Sequence, residues 1–98
     1  MYQIKRTAAF AQWLDGLKDR TAKARLIRRL EKAAAGNLGD VKAVGSGVNE
    51  MREFFGPGWR MYYTKRGATL IIMLGGGDKS SQANDIAKAI QLAASLED

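Results

Sequence analysis

The chain has 98 residues, of which 46% are apolar and 27% are charged, and it contains neither Cys nor His. A chain of this length builds one compact domain, and the missing residue types exclude disulfide scaffolds, thiolate nucleophiles, imidazole catalysis and metal sites made of Cys or His. The net charge is +6, and its excess lies in residues 1–36, which carry nine Lys and Arg against three Asp and Glu. Such a surface predicts a polyanionic partner, either a nucleic acid or an acidic protein segment.

The first half of the chain predicts a short strand followed by a helical hairpin. Residues 2–5 form the strand, and Thr7 can cap a helix whose apolar residues recur at every third or fourth position. A second helix begins at Asp19 or Thr21, and Gly36 ends it. Both apolar stripes are expected to pack on the same core.

The second predicted helix also carries a basic face. At 100° per residue, four cations gather opposite its apolar stripe: Arg25, Arg28, Arg29 and Lys32. We predict a ridge that points to solvent and can bind a polyanion. Such a ridge is more often a solvated face without a ligand, and the scarcity of neighbouring acidic residues raises the odds of binding.

From residue 41 onwards the apolar pattern becomes alternating, which predicts strands. The candidate strands span residues 41–44, 48–55, 59–65 and 69–75. Their short connections predict an antiparallel meander, with a type II turn at Pro57 and Gly58. Residues 70–74 are apolar on both faces, as in a central strand, and Ser80 or Ser81 can cap a final helix. The predicted class is therefore α+β, with helices segregated from a mostly antiparallel sheet.

Alternation sorts the side chains of the middle hairpin by face. One face of it is predicted to carry Glu50, Arg52 and Phe54 together with Arg60, Tyr62 and Thr64 of the next strand. Arginine matches phosphate with a planar fork, and an aromatic ring can stack on a base, so this face suits a nucleic acid. In the alternative interpretation, Arg52 and Arg60 form ion pairs with Glu50 or Glu53 and have no further role.

The loop Gly75–Ser81 lies between a strand and a helix but fails the P-loop pattern, because Asp78 stands where that pattern needs Gly. Lys79 and the amides near Ser80 and Ser81 could hold one phosphate. The favoured alternative is a tight turn with a serine cap.

Neither a membrane segment nor a metal site is predicted. The first six residues lack the apolar core of a signal peptide, and the apolar run at residues 70–74 is too short to span a bilayer. We therefore expect a cytoplasmic protein. Asp40, Asp78 and Asp85 do not show a metal-binding spacing, so we expect no metal or other cofactor.

Three segments together resemble a known family. They are residues 48–52, residues 55–63 with the motif GPGxR, and residues 74–82 with the motif GGGDKSxQ. The chain resembles the addiction-module killer proteins of the RelE/ParE/HigB superfamily, which are toxins of bacterial type II toxin–antitoxin systems. The resemblance covers essentially the whole chain and implies a single toxin domain over residues 1–98.

The resemblance implies a RelE-like fold in which the helical hairpin packs on the sheet. Most such toxins are metal-independent endoribonucleases (mRNA interferases) that cut messenger RNA, often on the ribosome, and a cognate antitoxin neutralises them. ParE-like members instead inhibit DNA gyrase. A nucleic-acid or partner-binding module without catalysis is the third possibility.

The resemblance also implies roles for individual residues. Arg52 and Arg60 match basic residues of the RNA cleft, Tyr62 lies on the same predicted face, and Lys79 completes the catalytic set. The residues that we predict to bind RNA are the basic face of the second helix and one lysine of the third candidate strand: Arg25, Arg28, Arg29, Lys32 and Lys65. The chain departs from some RelE members because it has no His and ends in Ala93–Asp98 without a basic-aromatic tail.

A metal-independent cut requires the RNA 2′-OH to attack the adjacent phosphate. Arg52 and Arg60 suit the stabilisation of the negative charge that develops on that phosphate. The proton acceptor would be Tyr62, Glu50 or Lys79, and each of these would need a pKa shifted toward neutrality.

Overall fold

The computed structural model describes residues 1–96 as a five-stranded mixed sheet with helices on both faces. The elements are β1 (Gln3–Arg6), α1 (Ala8–Asp15), α2 (Arg20–Ala34), β2 (Val41–Gly45), β3 (Val48–Arg52), β4 (Arg60–Arg66), β5 (Leu70–Gly77) and α3 (Gln82–Ser95), with a short 3-10 turn at Lys79–Ser81. The α+β class, the first strand and the final helix are confirmed. No helix within residues 1–96 has the length and apolar character needed to cross a membrane.

The strands lie in the order β1-β5-β4-β3-β2. Strands β2 to β5 form the predicted antiparallel meander. β1 pairs with β5 in parallel, from Gln3 opposite Leu70 to Arg6 opposite Met73. β5 therefore has a neighbouring strand on each side. Its sequence is apolar on both faces because α1 and α2 cover one face of the sheet and α3 covers the other.

Two helices cover one face of the sheet and one helix covers the other. The first core joins Phe10, Leu14, Leu26 and Leu30 of α1 and α2 to Met51, Met61, Tyr63, Ile71 and Met73 of the sheet. On the opposite face, Ala89 and Ala93 of α3 pack with Val48, Tyr62 and Leu74. Thr7 and Asp19 cap α1 and α2 as predicted, with side-chain oxygens that accept from the amides of Phe10 and Ala22 at 3.2 and 3.0 Å.

The connection between β3 and β4 differs from its prediction. β3 ends at Arg52, so residues 53–59 form a loop rather than the end of a strand. The amide of Gly58 donates to the carbonyl of Phe55 at 3.1 Å. The turn is therefore one residue earlier than predicted, with Gly56 at its first corner in the left-handed region (φ 57°). In this loop Phe54 is 72% exposed.

Candidate nucleic-acid site

Two arginines converge at the end of the β3–β4 hairpin. The register places Arg52 opposite Arg60 and Glu50 opposite Tyr62, which confirms the predicted face for the residues inside the strands. Phe54 was predicted on the same strand face but lies in the loop after β3. Each guanidinium carbon lies 5.7 Å from the centroid of the exposed Phe54 ring. Two positive charges therefore share one aromatic ring that faces solvent.

Arg52 is held by Asp40 rather than by either predicted partner. Its Nη2 lies 3.0 Å from Asp40 Oδ1, and the side chain remains partly exposed. The hydrogen bond from Arg52 to Asp40 is the largest cause that raises the pKa of the guanidinium. Its Nε is buried without a hydrogen-bond partner. Arg52 thus keeps its charge and part of its hydrogen-bonding capacity.

Arg60 has no carboxylate partner among residues 1–96. Its Nη1 donates to the carbonyls of Glu53 and Trp59 at 3.0 and 3.1 Å, while its Nε is buried and unpartnered. The side chain is only 6% exposed. Its charge is therefore positioned by backbone carbonyls but is not neutralised.

Lys79 comes close to this pair through the turn at Gly58. A Cβ built on Gly58 would lie 3.5 Å from Lys79 Cβ and 3.6 Å from Arg60 Nη1. The amide of Lys79 donates to the carbonyl of Pro57 at 3.4 Å. We call Arg52, Phe54, Arg60 and Lys79 the arginine site.

Tyr62 shares the sheet face of the arginine site but lies beneath α3. Its side chain is completely buried, and its hydroxyl has no hydrogen-bond partner. Burial raises the pKa of Tyr62 well above its usual range, and the nearby carboxylates of Glu50 and Asp85 raise it further. Glu50 is also buried, and its Oε2 accepts from Gln82 Nε2 at 3.0 Å. These facts argue against Tyr62 or Glu50 as the proton acceptor of a nuclease.

Arg29 does not belong to a solvent-facing ridge, so that prediction is wrong for this residue. It is 8% exposed, and its guanidinium donates to the carbonyls of Leu38, Asp40 and Arg52 and to Glu53 Oε1. The carbonyls come from the loop after α2 and from the end of β3. The 100° spacing could not reveal this, because those segments reach α2 only in the folded chain.

The other three cations of the predicted ridge, Arg25, Arg28 and Lys32, are exposed as predicted. Arg25, Arg28, Arg29 and Lys32 line a cleft of about 380 Å³ together with Glu53 and Phe55. We call it the basic cleft. The guanidinium carbon of Arg25 lies 4.3 Å from the Phe55 ring centroid. The basic cleft and the arginine site therefore meet the same loop through consecutive phenylalanines.

Lys65 lies apart from both surfaces. It is at the far end of β4 from Arg60, and its Nζ lies 5.1 Å from the centroid of the Tyr2 ring. Because Lys65 is five positions after Arg60 in the strand, an odd number, its side chain points to the other face of the sheet. The structure does not bring Lys65 together with the other predicted RNA-binding residues.

The start of α3 is not built to hold a phosphate. The Asp78 carboxylate accepts from the amide of Ser80 at 2.8 Å, and hydrogen bonds from Ser80 lower the pKa of Asp78. The hydroxyl of Ser81 donates to Asp85 Oδ2 instead of capping the helix. A carboxylate thus occupies the position where the phosphate was considered. Asp78 caps the 3-10 turn that precedes α3, and Ser81 at the start of α3 makes no capping hydrogen bond with its side chain.

Two further predictions concern metals and the chain end. Within residues 1–96, no group of three or more acidic side chains could hold a metal ion. Of the C-terminal segment Ala93–Asp98, the residues Glu97 and Asp98 lie outside the described part of the chain.

Comparison with known proteins identifies a relative over nearly the full length. No family model matches the chain. An uncharacterized protein of Haemophilus influenzae is 44% identical over 94 residues, which span 96% of this chain and 95% of that protein.

Proposed function

This chain belongs to the same family as the Haemophilus influenzae protein, and we propose that it is the toxin of a bacterial type II toxin–antitoxin system. Within the RelE/ParE/HigB superfamily, its role is that of a metal-independent endoribonuclease that cleaves messenger RNA in the cytoplasm, free or on the ribosome. A cognate antitoxin neutralises it. The observation that carries this proposal is the convergence of Arg52 and Arg60 on the exposed Phe54 ring.

The arginine site matches the chemistry of single-stranded RNA. A guanidinium pairs with phosphate oxygens, and an exposed ring stacks on an unpaired base. Arg52 Nη1 and Arg60 Nη2 make no hydrogen bond within residues 1–96 and, unlike the two Nε atoms, are not buried, so each can donate to a phosphate. When the 2′-OH attacks, these charges stabilise the negative phosphorane. The basic cleft offers further positive charge to the same RNA strand. RNA binding should therefore weaken as the salt concentration rises.

The burial of Tyr62 and Glu50 favours a second candidate function. Both side chains are buried under α3, so neither of the two proton acceptors predicted on the sheet face is exposed. Lys79 is the third candidate proton acceptor, and its side chain is exposed. A toxin that relies on the ribosome to orient its RNA needs little proton transfer. A ParE-like gyrase inhibitor, or a binding module without catalysis, needs none.

Arginine substitutions test the proposal. We expect Arg52→Ala and Arg60→Ala to reduce transcript cleavage by about a hundredfold, because each removes a charge from the transition state. The measurement is primer extension on cellular transcripts after induction of the toxin, together with growth. Arg60→Lys keeps the charge but loses the fork, and Lys42→Ala on the exposed edge strand β2 is the matched control.

The outcomes separate the candidate functions. New transcript ends that disappear in both alanine variants, while their thermal unfolding stays cooperative, support the nuclease. Growth inhibition with DNA cleavage complexes and intact transcripts supports the gyrase inhibitor. Folded and fully toxic Arg52→Ala and Arg60→Ala variants would show that the arginine site is wrongly assigned.

The partner is tested separately. The excess of cations in residues 1–36 predicts a tight complex with an acidic or amphipathic segment of an antitoxin, encoded by an adjacent small gene. Co-purification of the two proteins is the expected result. The absence of a tight complex would count against the toxin–antitoxin assignment.

A further inference from the structure

The guanidinium of Arg60 is held by the backbone of the loop that follows β3. Its Nη1 donates to the carbonyl of Glu53 at 3.0 Å and to that of Trp59 at 3.1 Å. The amide of Glu53 also donates to the carbonyl of Trp59, at 2.9 Å. The two acceptors are thus linked to each other, and the place of the Arg60 guanidinium depends on where the backbone of Glu53 lies.

Glu53 lies just outside the sheet. The ladder between β3 and β4 ends with Arg52 opposite Arg60, and the loop of residues 53–59 begins at Glu53. Loops of this kind are more mobile than the strands that they connect. The position of the Glu53 backbone therefore depends on side-chain contacts as well as on the strand that precedes it.

Arg29 of α2 makes that contact. Its Nη1 donates to Glu53 Oε1 at 3.0 Å and to the carbonyl of Arg52 at 2.8 Å. Its other two nitrogens donate to the carbonyls of Leu38 and Asp40, so the Arg29 guanidinium is fixed on three sides. The side chains of Arg29 and Glu53 are 9% and 25% exposed, and the ion pair is therefore shielded from water and salt.

We propose that Arg29 and Glu53 are positioning residues for Arg60. Their ion pair fixes the loop backbone at Glu53, and the Glu53 carbonyl then aims the Arg60 guanidinium. A charge that is already aimed costs no reorganisation when the phosphorane forms. The consequence for catalysis rests on the proposed function, whereas the positioning is a property of the protein without RNA.

Arg52 provides the internal comparison. Its guanidinium is held by the Asp40 carboxylate at 3.0 Å, and this contact does not involve Glu53. Loss of the Glu53 side chain should therefore release Arg60 and leave Arg52 in place. A general loosening of the hairpin would release both arginines, because they lie opposite each other in the register.

The test compares Glu53→Ala with Glu53→Gln in the full chain. Both variants remove the same negative charge, but only Gln keeps an oxygen that can accept from Arg29. Nuclear magnetic resonance of the Nε–H groups follows hydrogen exchange at each guanidinium in the absence of RNA. At the buried Nε of Arg60 we expect exchange about tenfold faster in Glu53→Ala, and less than about threefold faster in Glu53→Gln. Exchange at Arg52 Nε should stay the same in both variants.

Catalysis gives a second readout, with or without added ribosomes. On a transcript that the wild type cleaves, Glu53→Ala should lower kcat by about tenfold, because a misplaced charge stabilises the transition state less well. KM should not rise, since the variant gains positive charge near the RNA. Glu53→Gln should keep kcat within about threefold of the wild type.

Two further variants complete the set. Glu31→Gln, at an exposed position of α2, removes one negative charge outside both surfaces and should match the wild type in exchange and in kcat. Glu53→Asp keeps the charge on a shorter side chain, so it should also speed exchange at Arg60, and it replaces Glu53→Ala if that variant does not fold. Urea unfolding checks that each protein is folded.

Three results would overturn the proposal. The first is unchanged exchange at Arg60 in folded Glu53→Ala. The second is equal acceleration at Arg52 and Arg60, which would mean that Glu53 supports the hairpin as a whole. The third is an equal fall of kcat in Glu53→Ala and Glu53→Gln, which would assign the effect to charge. If the wild type cleaves no transcript, the proposed function fails, and the exchange rates alone decide the positioning.

Discussion

Arg29 and Arg60 are both nine-tenths buried, yet their surroundings differ. Every guanidinium nitrogen of Arg29 donates to the protein, so its hydrogen-bonding capacity is filled. Arg60 uses Nη1 alone, and its buried Nε has no partner. Buried polar groups are normally satisfied, so the filled hydrogen-bonding capacity of Arg29 indicates a structural role. We propose that the unfilled capacity of Arg60 serves the arginine site.

Removing the Arg29 side chain should have the largest effect on stability. Arg29→Ala leaves three carbonyls and the Glu53 carboxylate without their donor, and we expect the free energy of unfolding to fall by about 3 kcal/mol. Urea unfolding measures the change. The exposed neighbour is the control: Arg28→Ala should change it by less than about 0.5 kcal/mol. If Arg29→Ala and Arg28→Ala lowered the free energy of unfolding equally, the hydrogen bonds of Arg29 would not give it a special role in stability.

Phe54 tests the function of the arginine site in the same way that Arg29 tests stability. Because the ring is 72% exposed, Phe54→Ala should leave stability nearly unchanged. Loss of base stacking should weaken the binding of single-stranded RNA by about tenfold. Fluorescence anisotropy with a short labelled RNA measures the change in affinity. Val41→Ala, at another exposed apolar residue on β2, is the matched control and should bind RNA like the wild type.

Tyr62→Phe tests whether a second buried, unpartnered group is functional or structural. We expect the free energy of unfolding to stay the same or to rise by about 1 kcal/mol, because the variant removes an unsatisfied hydroxyl. Growth inhibition should persist. Loss of toxicity in a folded Tyr62→Phe variant would return Tyr62 to the catalytic set.

The same residue predicts the alkaline behaviour of the protein. Burial, together with Glu50 and Asp85, raises the pKa of Tyr62 in the folded chain. The resulting stability is fully present below about pH 10, where tyrosine ionises in the unfolded chain, and is lost as the pH rises above that value. Tyr62→Phe should therefore resist alkaline unfolding better than the wild type. Tyrosinate absorbance and circular dichroism against pH measure this.

Asp40→Asn should have the smallest effect. The ion pair with Arg52 is partly exposed, so its loss should cost about 0.5 kcal/mol or less. Arg52 becomes more available to phosphate, and RNA binding should be kept or strengthened. RNA binding lost in Asp40→Asn would show that the ion pair, rather than the free guanidinium, makes the site.

The local parts of the arginine site were predictable. Alternation put Arg52, Phe54 and Arg60 on one face, and a short connection kept β3 and β4 adjacent in register. The remaining partners come from distant segments. Asp40 and Arg29 reach the end of β3 only after α2 and β2 have packed, so periodicity gave no sign of either contact.

The sequence by itself determined the order of the elements, the caps of α1 and α2, the meander and the face on which the arginines lie, because these depend on neighbours within a few turns or one hairpin. Tertiary structure alone decided that β1 pairs with β5, that Arg29 is a buried support and that Tyr62 is buried under α3. Each of these depends on which surfaces meet when segments far apart in the chain pack, and that choice is made by the burial of the whole core.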